Sequence, residues 1–136
     1  MVVDMKNAID KLARLAADYH KIDLDKVNLR VVRRRGREAV RGEASRPNNV
    51  TLRIPQCQFD AVDLAQRVWA VLIHELGHIR DYRNGAPFQY YRNGAKRRMA
   101  HDTRPQERRA DNYVRDCTVQ PDLLPLITLF ETEKMG

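Results

Sequence analysis

This 136-residue sequence is poor in cysteine, in long apolar runs and in aromatic side chains, and each shortage removes a class of protein. Its two cysteines, Cys57 and Cys117, are far apart and form no Cys-x-x-Cys pair. A cysteine-built zinc module and a disulfide scaffold are therefore excluded, and two isolated thiols fit a reducing compartment. The longest uninterrupted apolar run, Val68 to Ile73, is far short of the roughly 20 residues a membrane helix needs. The N-terminus, Met1-Val2-Val3-Asp4-Met5-Lys6, lacks the basic-then-apolar form of a secretory signal. The expectation is a protein made and kept in the cytoplasm, with no membrane partner. Internal repeats and low-complexity tracts are also missing, and the length suits one domain over residues 1–136.

Positive charge is in excess. Lys and Arg number 25 against 18 acids, for a net +7. The segment from Arg30 to Arg46 holds seven arginines against two glutamates, and that from Arg80 to Arg109 holds nine basic residues against three acids. Such clusters can attract nucleic acid or an acidic protein, and they are also what solvated strands and helix faces look like. No aromatic-rich nucleic-acid motif is interleaved with them.

Periodicity divides the chain. Met5, Ile9, Leu12, Ala13, Ala16 and Tyr19 recur at helical spacing, predicting an amphipathic helix over about 4–20. Val27 to Arg34 alternates, Glu38 to Glu43 can return as a weaker strand, and Val50 to Ile54 alternates again after the turn signal Pro47-Asn48-Asn49. Residues 27–54 thus predict a small antiparallel sheet of three strands. Val62, Ala65, Val68, Trp69, Leu72, Ile73, Leu76 and Ile79 then form a broad apolar stripe behind the N-cap candidate Asp60, predicting a long buried helix over 60–81. Residues 82–103 read as an irregular loop. Thr103-Arg104-Pro105 resembles a helix start, and Pro121 opens a last helix with Leu123, Leu124, Ile127 and Phe130. The predicted fold class is α+β.

The central helix contains His74-Glu75-Leu76-Gly77-His78. Residues four apart share a helical face, so two imidazoles at this spacing can converge on one zinc ion. Glu75, one residue along, stands where it can take a proton from water activated by the metal and pass it to a leaving amine. Gly77 is costly inside a helix, by roughly 1 kcal/mol against Ala. A residue without a side chain there implies close approach by another segment, such as one supplying a third ligand. Zinc sites of this kind need that third ligand. Glu107, at the start of a predicted helix, is one candidate, with Asp111 one turn on to accept a hydrogen bond from the outer nitrogen of His74. His101 is the competitor, as a ligand or as an oxyanion donor. His20, ending the first helix, suits a macrodipole contact.

His74-Glu75-x-x-His78 followed by Glu107-Arg108-Arg109-Ala110-Asp111 resembles the gluzincin pattern of zinc metallopeptidases. Size and element order resemble the minimal gluzincins and the ImmA/IrrE-type peptidases of bacteria and their phages. The resemblance covers about residues 50–118 and implies a zincin-like fold. It also implies one zinc per chain on His74, His78 and Glu107, with Glu75 as catalytic base and Asp111 supporting a ligand from behind. By the same resemblance a strand preceding the active-site helix pairs with substrate, and Val50 to Ile54 is the candidate. The substrate would be a protein or peptide, including a DNA-bound regulator. Larger gluzincins stabilise the oxyanion with a His or Tyr from a further domain that this chain is too short to contain. Tyr82, Tyr90, Tyr91, His101 and Tyr113 are the possible substitutes, His101 and Tyr113 foremost. The expected function is zinc-dependent peptide-bond hydrolysis. The alternative is a catalytically weak or inactive module of the same fold, binding nucleic acid or an acidic protein through its arginines.

Overall fold

A computed structural model describes residues 2–35, 39–56, 60–85 and 105–135. Helix α1 (Val2–His20) leads through a single 3-10 turn into strand β1 (Asn28–Arg35). Strands β2 (Arg41–Ser45) and β3 (Asn49–Gln56) follow, then helices α2 (Ala61–Arg83), α3 (Pro105–Asp116) and α4 (Leu124–Met135). The α+β class expected from the sequence is the class observed.

The helices form where spacing and caps put them. On α1, Met5, Ile9, Leu12, Ala13 and Ala16 are buried as a stripe, with Tyr19 packed at its margin. Asp60 caps α2, its carboxylate accepting the Asp63 amide at 3.0 Å. On the α2 stripe Trp69 is half-buried at the margin, while Ala65, Val68, Leu72, Ile73, Leu76 and Ile79 are buried, Val68, Leu72 and Leu76 with no exposed surface. Removing each such side chain from water is worth roughly 1.5–3 kcal/mol. Val62, expected on that stripe, is 46% exposed, because the first turn of α2 buries Ala61 and Leu64 instead. The last helix begins at Leu124 rather than Pro121, with the Asp122 carboxylate accepting the Leu124 amide at 3.1 Å.

The sheet corrects the expected antiparallel arrangement. Its order is β1-β3-β2, with β1 parallel to β3 and β2 antiparallel to it. Alternation tells which face a residue occupies and nothing about which strand lies beside it. The most apolar strand takes the centre: Val50, Leu52 and Ile54 of β3 are at most 1% exposed. β1 and β2, richer in arginine, form the edges. One face of the sheet packs on the helices. Of the turn expected at Arg35-Gly36-Arg37, Gly36 and Arg37 lie outside the described residues. The loop expected over 82–103 starts later, since Tyr82 and Arg83 continue α2, and its residues from 86 on, with Tyr90, Tyr91 and His101, lie outside the described residues.

Candidate metal centre

The site is assembled from two helices and one strand. α2 places His74 and His78 on one face near its C-terminal end, and α3 packs alongside and brings Glu107 and Asp111, one turn apart. His74 Nε2 lies 3.0 Å from one Glu107 carboxylate oxygen, and His78 Nε2 lies 3.2 Å from the other. The three donor atoms fall within 4.8 Å of one another, the only such group of metal-ligating side chains among the described residues. His78 and Glu107 are buried, and His74 is nearly so.

Asp111 stands behind His74, its Oδ1 2.9 Å from Nδ1. A neutral His74 that donates from Nδ1 to this carboxylate turns its Nε2 lone pair toward Glu107. With His78 in its Nδ1–H tautomer as well, His74, His78 and Glu107 direct unshared electron pairs at one small volume, where a cation can bind. The two histidine–Glu107 separations of about 3 Å match the edge of a tetrahedron around an ion with bonds of about 2 Å, the geometry of zinc on His and carboxylate ligands. These residues therefore fit a zinc-type ion. A proton is the other cation that can serve. Burial by itself depresses the His74 pKa, but the Glu107 hydrogen bond and the charges of Glu75, Glu107 and Asp111 outweigh it and raise the pKa above the ordinary histidine value.

Glu75 lies beside this group, buried, with Oε2 3.8 Å from His74 Nε2. The β2 backbone holds it there. A Cβ placed on Gly42 would come within 2.5 Å of Glu75 Cγ and 2.6 Å of Val71 Cγ1, so only glycine lets the strand pass this close. A cleft of about 740 Å³ opens at this point. Val40 and Gly42 line one wall, Val71, His74 and Glu75 the floor, and Asp111 and Val114 the other wall. Gly42 carries no recognisable signal in the sequence, because its meaning depends on which helix the strand crosses.

Two further expectations are settled by neighbours. Gly77 does mark a close approach: a Cβ there would sit 2.6 Å from Tyr113 Cδ2, and Tyr113 is on α3, the helix that carries Glu107. Tyr113 itself is not an oxyanion donor in this arrangement. Its hydroxyl donates to Asp81 at 2.6 Å, and six residues past Glu107 it occupies another face of α3. Burial, together with the hydrogen bond and charge of Asp81, pushes the phenol above its usual range. Tyr82 stacks on His78 with ring centroids 6.4 Å apart, and the Arg46 guanidinium lies over the Tyr82 ring, 5.2 Å from its centroid. His101 lies outside the described residues.

His20 ends α1, as expected, and is buried there. It is 3% exposed, and its Nε2 lies 2.8 Å from the Ile73 carbonyl on α2. Tyr19 and Tyr113 flank it edge-on, at 4.9 and 5.0 Å between centroids. This contact ties α1 to the turn of α2 that bears the histidine pair.

Val50 to Ile54, the expected substrate-pairing segment, is the centre of the sheet. β3 is hydrogen-bonded on both sides and has no free edge to offer. The edge that borders the cleft is β2. No described helix is long and apolar enough to cross a membrane. Compared with protein-family models, curated proteins and solved structures, the chain matches none.

Proposed function

We propose that this chain is a small zinc-dependent endopeptidase of gluzincin type. One observation carries the reading: His74, His78 and Glu107 converge from two helices within 4.8 Å, with Glu75 buried beside them at the floor of a cleft. His74, His78 and Glu107 would hold the ion. A zinc ion so held supplies Lewis-acid chemistry, acidifying water and polarising a carbonyl. Asp111 fixes the His74 ring and its tautomer. Glu75 accepts a proton as the nucleophile forms and returns it to the leaving nitrogen. Gly42 leaves the space against β2 that this side chain occupies. The resemblance of the two sequence motifs to gluzincins and ImmA/IrrE-type peptidases supports the same assignment.

A peptide substrate in this reading adds to the sheet along β2, an edge strand among the described residues, where main-chain hydrogen bonds orient it over Glu75. The apolar wall of Val40, Val71 and Val114 would receive one of its side chains.

Elemental mass spectrometry of the purified chain beside Glu107→Ala and Glu75→Gln, with cleavage of a mixed peptide library, tests the proposal. About one zinc per wild-type chain is expected, lost in Glu107→Ala and kept in Glu75→Gln. Cleavage should fall by about 10²–10⁴-fold in Glu75→Gln, the usual worth of a general base. Cleavage that survives Glu75→Gln sinks the mechanism. Zinc retained in Glu107→Ala removes Glu107 from the site.

A further inference from the structure

The segment that builds the sheet is strongly positive. Residues 28–56 contain eight arginines and no lysine against two glutamates, a net +6. Residues 80–109 carry the other basic cluster, nine basic residues against three acids, and acids outnumber bases in the rest of the chain. The clustering that the sequence displays as a run becomes, after folding, a pattern on a surface.

Register assigns the arginines to faces. Leu29, Val31 and Arg33 of β1 stand level with Val50, Leu52 and Ile54 of β3, and this face packs on the helices. Arg33 is used for structure there. It forms a two-pronged pair with Glu133 of α4 at 2.7 and 2.9 Å and lies over the Phe130 ring. The opposite face holds Arg30, level with Thr51 and Glu43; Val32, level with Arg53 and Arg41; and Arg34, level with Pro55. Arg30, Arg34 and Arg41 are exposed, and the Arg53 side chain is 34% exposed. The one acid among the described residues of this face is Glu43, 3.9 Å from Arg53 and 67% exposed.

Arg41 and Arg53 are direct cross-strand neighbours. Like charges so placed destabilise a sheet pair. The fold therefore bears a small cost that an anion between the two guanidinium groups would remove. Along β1, Arg30 and Arg34 are about 13 Å apart at strand rise, and neighbouring strands are about 4.8 Å apart. Each strand of a duplex carries one phosphate per about 3.4 Å of helix axis, so this patch spans several of them. Every cation among the described residues of this face is an arginine, whose planar fork pairs with phosphate oxygens two at a time. Among the described residues the face has no aromatic side chain to stack on a base, which argues against a single-strand platform.

We propose that the open face of the sheet, through Arg30, Arg34, Arg41 and Arg53, binds the phosphate backbone of duplex DNA independently of base sequence. The inference does not depend on the metal centre. It uses the face of the sheet turned away from Glu75.

The test is a fluorescence-anisotropy titration of a labelled 20-base-pair duplex of arbitrary sequence with the full chain between 50 and 200 mM salt. Binding should weaken with salt at a logarithmic slope of about −3, the value for three to four neutralised phosphates. Replacing Arg30, Arg41 and Arg53 by Gln should weaken binding at least tenfold at the lowest salt and reduce the slope by about two to three. Arg14, Arg67 and Arg115, exposed on the helices, provide the control: their replacement by Gln removes the same charge and should change affinity less than threefold. The double variant Arg30→Gln/Arg41→Gln, confined to edge strands, carries the test if the triple variant loses its circular-dichroism spectrum. Absence of binding at 50 mM salt overturns the proposal, as does equal loss in the sheet and helix variants. Tighter binding of a single strand overturns the duplex assignment. Stronger competition by polyglutamate than by unlabelled duplex would make an acidic polypeptide the partner instead. Glu75→Gln should leave DNA binding unchanged, whatever it does to cleavage.

Discussion

Gly77 occupies one position inside the motif helix, and two opposite effects meet there. An alanine would gain about 1 kcal/mol of helix propensity. The same methyl group would meet the Tyr113 ring at 2.6 Å and force α3 outward. Overpacking of this kind costs about 1–3 kcal/mol, so the clash should prevail. Gly77→Ala should lower the urea midpoint of the metal-free protein, and zinc retention should weaken with it because Glu107 moves with α3. A raised midpoint would mean that α3 does not press on this turn. The sequence declares that something comes close to Gly77. It cannot say that the visitor is Tyr113, since that depends on how two helices separated by a long connection are rotated against each other.

Between elements, the contact that matters most to the candidate site is α2 against α3. Asp81, 6% exposed, receives the Tyr113 hydroxyl at 2.6 Å and Arg109 Nε at 3.0 Å. The Arg80 guanidinium lies 4.7 Å from the Tyr113 ring centroid. This group sits one turn beyond His78 and sets the distance at which α3 presents Glu107 and Asp111. Removing the carboxylate leaves a buried hydroxyl and a partly buried guanidinium without their shared acceptor. Asp81→Ala should therefore cost about 2–3 kcal/mol, and Tyr113→Phe only about 1 kcal/mol, as denaturant melts would record. Equal losses would indicate that the ring's packing, not the network, joins the helices. The Glu107–Asp111 pairing on one face was legible from its spacing. Asp81 was not, because an acid after the second histidine reads as an ordinary helix-surface residue until its burial is known.

For the molecule as a whole, the buried histidine of α1 should set its tolerance of acid. Burial is the main cause that lowers the His20 pKa, from the ordinary 6.5 to about 4, and the Ile73 carbonyl opposes it only in part. The folded state thus favours neutral His20, while the unfolded chain takes up a proton near pH 6.5. Between these values the unfolded state binds more protons, so stability rises with pH. The contribution is fully present above about pH 6.5 and is lost as pH falls toward 4, amounting to about 3 kcal/mol across the window. His20→Gln, which keeps a donor for Ile73, should flatten that part of the stability curve measured by urea denaturation from pH 4 to pH 7. An unchanged slope would assign the acid sensitivity to other groups.

By itself the sequence determined what local spacing can encode. Repeats of 3.6 and of two residues specify the helices and strands, and caps such as Asp60 fix where a helix begins. His74, Glu75 and His78 share one stretch of helix, so their convergence needs no knowledge of the fold. Relations between distant segments were decided only by the tertiary structure. β3 entered the sheet between β1 and β2, moving the free edge at the cleft from Val50–Ile54 to Arg41–Ser45. Glu107 was chosen from the chain's acids because α3 lies against α2, and Tyr113 was turned away because its hydroxyl found Asp81 first. The arginine run became a sheet face with alternate side chains sent inward and outward. The physical reason is the same in each case. Side-chain period is a property of the local backbone, whereas the neighbour across a gap is selected by burial and packing of the whole chain at once.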